Sequence, residues 1–249
     1  MTRMPNIELS PKDYKLMVDY CGFSGGGESS IYKSMRPDTL YKIFIDEQTG
    51  EPIGLSDNKL KKLLELYQRQ LDNFVQPIST ISLNGELIGY EMSYDKDDII
   101  LSQKVLRRRH LIEILKQTSA ILHSLAEQDI TYGDVKGNNI LINKKTRQIT
   151  FCDIDNMRIG EYPVDLLNDY AAEIVSSKEF VDERVDQYLH NLMTLQMLNA
   201  SSCTYDDILY DLSEGHFRKY YTSEAQETLA TMASPKPFKG GYIAPYIKK

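Results

Sequence analysis

Residues 132–139 read Tyr-Gly-Asp-Val-Lys-Gly-Asn-Asn and run directly into an apolar triplet, Ile140-Leu141-Ile142. A polar stretch, Asn143-Lys144-Lys145-Thr146-Arg147, separates it from Gln148-Ile149-Thr150-Phe151 and a second acidic element, Cys152-Asp153-Ile154-Asp155. Two short apolar runs around a polar tip predict a hairpin that carries Asp153 back beside Asn139. The loop therefore holds an aspartate, a lysine and an asparagine, with another aspartate across the hairpin. Phosphoryl transfer from a nucleotide needs such a set: a carboxylate to orient a hydroxyl nucleophile, a cation for developing charge, and oxygen ligands for Mg²⁺. Gly-Asp and Gly-Asn-Asn are also common turn residues before a strand, and by themselves satisfy that simpler reading.

Asp134-Val135-Lys136-Gly137-Asn138-Asn139 resembles the catalytic loop of the protein kinase superfamily, H-R-D-L-x-x-x-N, in spacing and residue type. The nearest type is a minimal bacterial-type serine/threonine kinase domain. The resemblance implies an α+β, bilobal fold: a small β-rich N-lobe with one main helix, then a mostly helical C-lobe. On that basis 1–249 is one kinase-like domain, with an N-lobe over 12–92, a hinge over 93–98, a C-lobe over 99–233 and a tail over 234–249. It also implies ATP and Mg²⁺ as cofactors, Asp134 as the catalytic carboxylate, and Asn139 and Asp153 as metal ligands. Lys136 matches the lysine that serine/threonine kinases set against the transferred phosphoryl group.

Other motifs follow in the family's order. Ser24-Gly25-Gly26-Gly27-Glu28-Ser29-Ser30-Ile31 resembles a glycine-rich phosphate loop, in which Gly25, Gly26 and Gly27 let backbone N–H groups approach phosphate oxygens. Aligned on Ile31, only the middle glycine of G-x-G-x-x-G is retained, as Gly26; Ser24 and Ser29 replace the outer two. The same run also reads as a flexible linker. Thr39-Leu40-Tyr41-Lys42-Ile43-Phe44 alternates as a strand does, and Lys42 stands where the family's V-A-I-K lysine contacts phosphates. Ser56-Asp57-Asn58 is an N-cap, and Leu60, Leu63, Leu64, Tyr67 and Leu71 recur at helical spacing over 57–74. Glu65, the one glutamate there, is the candidate partner of Lys42. Glu91-Met92-Ser93-Tyr94 falls at the hinge, so Met92 and Tyr94 are candidates to border an adenine ring.

Strands are expected near 15–21, 30–36, 39–45, 78–84 and 86–92, with a tight turn at Asn84-Gly85. In the second half, Leu111, Leu115, Thr118, Leu122 and Leu125 trace one helical face. Asp186-Gln187-Tyr188 opens a further helix, and by the resemblance Asp186 braces the catalytic loop. Short helices are expected over 205–213 and 223–233, and a loosely packed tail over 234–249.

Net charge −7 and an isoelectric point near 5.2 argue against a nucleic-acid surface as the main function. The basic run Lys104, Arg107-Arg108-Arg109 reads more simply as a solvated helix start. No apolar run approaches a membrane span and the N-terminus lacks a signal pattern, so the expectation is a cytoplasmic protein. Cys21, Cys152 and Cys203 are too few and too scattered for a disulfide framework or a zinc site.

The departures from the family pattern are as informative. Gly133 stands where many protein kinases carry the arginine that gathers a phosphorylated activation segment. Residues 153–173 contain no serine or threonine, so a chain of this kind is expected to work without threonine phosphorylation there. Tyr132 replaces the motif's histidine, Asp155 the glycine after Ile154, and Ala171-Ala172-Glu173 is a weak counterpart of A-P-E. Asp155 is left as either a metal ligand or a turn cap. Lys136 favours a protein serine or threonine as substrate, whereas Gly133-Asp134 also suits small-molecule kinases of the aminoglycoside and choline type. A nucleotide-binding pseudokinase and an AMP-transferring enzyme use similar parts.

Overall fold

The computed structural model describes residues 4–25, 28–104, 106–167, 169–175, 177–178, 181–199, 204–217, 221–232 and 238–247. The chain divides into two compact units. One comprises Met1–Asp98 with Asn143–Lys145, the other Ile99–Ile142 with Thr146–Lys249.

The N-terminal unit is a six-stranded sheet with two helices. Its elements are β1 (Asn6–Leu9), α1 (Pro11–Tyr20), β2 (Gly22–Gly25), β3 (Ser29–Lys33), β4 (Thr39–Phe44), α2 (Asp57–Arg69), β5 (Pro77–Leu83) and β6 (Glu86–Ser93). The strand order is β1-β5-β6-β4-β3-β2, with β1 parallel to β5 and the other neighbours antiparallel. Asn84 and Gly85 take positive φ (53° and 80°) in the β5–β6 turn, as a two-residue hairpin requires. Gly89 lets β6 lie close to β4, since a Cβ there would meet the Lys42 carbonyl oxygen at 2.1 Å. One core joins Leu9, Met17, Tyr32, Tyr41, Ile43, Ile81 and Ile88.

Three expectations need correction in this unit. The strand expected over 15–21 lies mostly in α1: Pro11 begins the helix, and the Ser10 hydroxyl accepts the Asp13 N–H (3.1 Å) and donates to its carboxylate (2.6 Å). That cap, with proline preset at the first turn, outweighs the local strand propensity. The helix expected to run to residue 74 stops at Arg69, where Gln70 adopts a left-handed conformation (φ 49°). β6 runs on to Ser93, one residue past the strand expected over 86–92. The Glu91 carboxylate is fully buried and accepts hydrogen bonds from Ser34 Oγ (3.2 Å), Thr39 Oγ1 (3.0 Å), Ser79 Oγ (2.9 Å) and Arg36 Nη1 (3.3 Å). A buried carboxylate is tolerable because every side of it meets a donor.

The C-terminal unit contains β7 (Asp98–Ile100), α3 (Arg108–Ala126), β8 (Ile130–Thr131), β9 (Ile140–Asn143), β10 (Ile149–Phe151), β11 (Arg158–Ile159), α4 (Glu183–Leu198), α5 (Tyr205–Ser213) and α6 (Ser223–Met232). The β9–β10 hairpin forms as the sequence pattern predicts, extended by β7, while β8 pairs with β11. Residues 185, 186 and 188–195 of α4 are all buried, the mark of a helix enclosed on every side. The described part of the expected tail, residues 238–247, is packed instead of loose: Phe238, Ile243, Ala244 and Ile247 are buried. Asn191 and Gln187 hold it. Asn191 Nδ2 donates to Gly241 O (2.8 Å), Asn191 Oδ1 accepts Ile243 N–H (2.9 Å) and Gln187 Oε1 accepts Gly241 N–H (2.6 Å).

His190 sits between α3 and α4, wholly buried, with Nε2 2.8 Å from Thr118 Oγ1 and 3.1 Å from Leu115 O. Thr194 Oγ1 lies 3.5 Å from Nδ1, and the Tyr242 ring stands edge-on at 5.4 Å. Burial lowers its pKa to about 4. The folded protein holds this ring neutral, while the unfolded chain protonates it near pH 6.5. Its contribution is complete above that pH and is lost as pH falls from 6.5 towards 4, by roughly 3 kcal/mol at the limit. Urea unfolding of wild type and His190→Gln across pH 7 to 4 checks this, the variant losing stability less steeply; parallel profiles contradict it.

Candidate active site

Asp186, one turn into α4, places the loop that carries Asp134. Its carboxylate is buried and accepts the backbone N–H of Tyr132 through one oxygen and that of Gly133 through the other, both at 2.7 Å. Burial pushes this carboxyl up to about 7, against the two N–H donors and the charge of Arg158, which favour the anion. Tyr132 anchors the same region from its side chain. Its ring is fully buried edge-on against Phe151 (5.1 Å), and its hydroxyl donates to the carbonyl of Cys152. Tyrosine at this position thus ties the loop to the residue preceding Asp153. Burial, reinforced by the charges of Cys152, Asp153, Asp134 and Asp186, holds its phenol well above the ordinary tyrosine range.

Gly133 needs to be glycine for two reasons. Its φ is +80°, and a Cβ would lie 3.0 Å from Val164 Cγ1. Beyond it, Asp134 Oδ2 is held by Lys136 Nζ at 2.6 Å and by Asn139 Nδ2 at 2.8 Å. Asn139 Nδ2 also reaches the Asp134 carbonyl (3.1 Å), so both amide hydrogens are directed at one residue. That leaves the amide oxygen of Asn139 as the atom for a cation. The hairpin returns Cys152 to this point, its N–H bonding Asn139 O at 3.0 Å. Asp153 follows in a left-handed conformation (φ 60°, ψ 50°), and Asp155 is buried in the turn after it. A non-glycine residue held there stores backbone strain of the sort found at functional sites.

Among the described residues, no group of three or more histidine, cysteine, aspartate or glutamate side chains gathers as a metal cage. Asn139 and Asp153 nonetheless fit Mg²⁺ chemically. This ion takes one or two protein oxygens at nucleotide sites and completes its shell with phosphate and water.

In the N-terminal unit, Lys42 lies on β4 between Ile31 and Tyr90. It is only 5% exposed, with its ammonium 5.6 Å from the Phe44 ring centroid. Gly25 ends β2 opposite Ser30; Gly26 and Gly27 lie outside the described residues. Met92 is buried in β6, and Tyr94 packs edge-on against Phe23 at 5.3 Å.

The structure corrects the reading of Glu65 as partner of Lys42. Its side chain is 41% exposed and bonds Arg69 Nε at 3.3 Å, one turn along the helix. The buried stripe of α2 is Lys62, Leu63 and Leu66, rotated from the one expected. Lys62 is 0% exposed, and Lys59 on the preceding turn lies 4.1 Å from the Phe44 centroid. A buried lysine in an apolar stripe reads as an error in a periodicity count, which is why the pattern pointed to the wrong face. Tyr205, at the first position of α5, is a second residue the sequence left unmarked. It is largely buried edge-on to Tyr170 (5.0 Å), and burial together with the nearby charge of Asp134 raises its pKa.

No family model matches the chain. Half of it is 26% identical, over 135 residues, to serine/threonine-protein kinase 40 of Pongo abelii, and 25% identical over the same length to that of Homo sapiens. The match covers 29% of the length of those relatives. Two solved structures share its fold at 14% identity: the Cydia pomonella granulovirus kinase PK-1 (TM-score 0.59, 90% of this chain and 91% of that one) and the Mycobacterium tuberculosis PknI kinase domain (TM-score 0.58, 90% and 89%). Among the described residues no helix is long and apolar enough to cross a membrane.

Two substitutions separate the residues that build the site from those beside it. Asp186→Ala removes the carboxylate that accepts two backbone N–H groups and is expected to cost about 2–4 kcal/mol of unfolding free energy. Glu65→Ala removes an exposed pair one turn apart and is expected to cost less than about 0.5 kcal/mol. Chemical denaturation measures both, and equal losses would contradict this assignment.

Proposed function

Since the chain has the fold of the protein kinase superfamily, we propose that it is an ATP- and Mg²⁺-dependent phosphotransferase that phosphorylates serine or threonine hydroxyls of proteins. The observation that carries this reading is the hold on Asp134. One carboxylate oxygen is bound by both Lys136 Nζ and Asn139 Nδ2. A carboxylate fixed in this way keeps its orientation without reorganising as a substrate hydroxyl arrives. Asp134 accepts or orients the hydroxyl proton, and Lys136 neutralises charge gathering on the transferred group. Lys42 and the backbone of Gly25, Gly26 and Gly27 hold the nucleotide phosphates, with Met92 and Tyr94 bordering the base. Asn139 and Asp153 would hold Mg²⁺, which when bound offsets phosphate charge. Lys136, resembling the lysine of serine/threonine kinases, favours a protein substrate over a small alcohol.

A second reading has one observation in its favour. The α2 glutamate pairs with Arg69, and a lysine occupies the buried face of that helix. A chain so altered suits a pseudokinase that binds nucleotide without turning it over.

Steady-state kinetics of wild type and Asp134→Asn with Mg-ATP and a generic protein substrate separate the two. The variant should fold normally and lose about 10²–10⁴ in kcat. A near-native rate for Asp134→Asn removes Asp134 from its role. A wild type that binds ATP but forms no product favours the pseudokinase.

A further inference from the structure

We infer that Asn156 is a positioning residue: its side chain clips the segment after Asp153 into one ordered form, and Val164 thereby fills the space beside Gly133 and limits movement of the loop that carries Asp134. The phosphotransfer reading supplies the kinetic half of this inference; the clip itself stands on geometry alone.

Asn156 Oδ1 accepts the backbone N–H of Asp165 (2.9 Å) and of Leu166 (2.8 Å), and its Nδ2 donates to the Leu166 carbonyl (3.0 Å). One amide therefore closes a loop across ten positions with three hydrogen bonds. Just before the clip, Val164 is 2% exposed and packed where a side chain on residue 133 would have to go. Glycine at 133 is thus what the segment requires. An arginine there, the residue the family uses to capture a phosphate, would displace Val164.

The opposite side of the loop is fastened separately. Residues Arg158 and Ile159 pair with Thr131 and Ile130, immediately upstream of Tyr132. Arg158 reaches Asp129 Oδ1 through Nη2 (2.7 Å), Gly160 O through Nη1 (2.8 Å) and Thr131 Oγ1 through Nε (3.4 Å). Strand pairing and guanidinium hold residues 158–160, whereas Asn156 holds the N–H groups of 165 and 166 and Lys178 Nζ donates to the Asp165 carbonyl, so the attachments differ in what depends on each. Loss of Asn156 frees Val164 without unpairing β11. The space beside Gly133 is then no longer filled, and the loop gains freedom that the Asp186 and Lys136 contacts alone do not remove. No phosphate enters this arrangement. A segment lacking serine and threonine is kept in place by an asparagine side chain.

The test is hydrogen exchange at the Asp165 and Leu166 amides of unphosphorylated full-length protein, joined to steady-state kinetics. Asn156→Ala should speed exchange at those two amides by about tenfold or more, as expected for loss of their acceptor. The same variant should lower kcat by about tenfold or more with KM for ATP unchanged, measured at a temperature where circular dichroism shows both proteins fully folded, since loss of folded enzyme alone would also lower kcat. Asn156→Asp keeps the acceptor for both N–H groups, loses the donated bond and sets an oxygen against the Leu166 carbonyl, so its exchange should lie between wild type and Asn156→Ala. Unchanged exchange in Asn156→Ala overturns the clip. Faster exchange with unchanged kcat overturns its link to Asp134. A wild type without phosphotransferase activity overturns the parent reading and the kinetic half, and leaves the exchange result to decide the clip.

Discussion

Two hydrogen bonds from adjacent backbone N–H groups to one buried carboxylate, those of Tyr132 and Gly133 to Asp186, are what the C-terminal unit is arranged around. Helix α4 is enclosed on every side, so its second turn is a rigid reference within the unit. The loop hangs from that reference by its backbone, which leaves the side chains of residues 134, 136 and 139 to bond one another. Taking an aspartate out of water is costly, and burial alone would favour its neutral form. The two N–H donors offset that cost, and both lose this acceptor if the aspartate is removed. Loop and helix are therefore each required for the other's polar groups to be satisfied.

The same economy of partners recurs on the other side of the loop. Gly133 leaves no room for an arginine, and the space is filled by Val164 from a segment that Asn156 closes with its own amide. Tyr132, in place of a histidine, sends its hydroxyl to the carbonyl before Asp153 and its ring against Phe151. These departures from the family's pattern are mutually consistent: each replaces a charged or phosphate-dependent contact with packing and neutral hydrogen bonds. The N-terminal unit departs differently, presenting Lys62 rather than a glutamate on the buried face of α2.

Much of this was legible in the residues because the relevant signals are local. The Asn84-Gly85 turn, the β9–β10 hairpin, helix α3 and helix α5 follow from turn chemistry and periodicity alone, and Asp186 was placed by resemblance. What was not legible depended on tertiary context or on a cap that was overlooked. Helix α1 was missed because Ser10, Pro11 and Asp13 form a start signal while the residues after them resemble a strand. Strand β1 is a parallel edge to β5, a pairing no local pattern announces. The face of α2 was misjudged because a lysine occupies a core position. The tail was read as loose from its Pro, Gly and Lys content, yet side chains on α4 bind its backbone. Asn156 carries no local signal; its partners lie nine and ten positions away and become visible only once the segment is folded.

The central claim is that Asp134, Asn139 and Asp153 form a metal-dependent phosphoryl-transfer site. Intact-mass spectrometry of a protein substrate after incubation with Mg-ATP and either wild type or Asp153→Ala tests it most directly. The account predicts a gain of one phosphate with wild type and none with Asp153→Ala. A gain of AMP, or a phosphate gain that Asp153→Ala leaves intact, would contradict it.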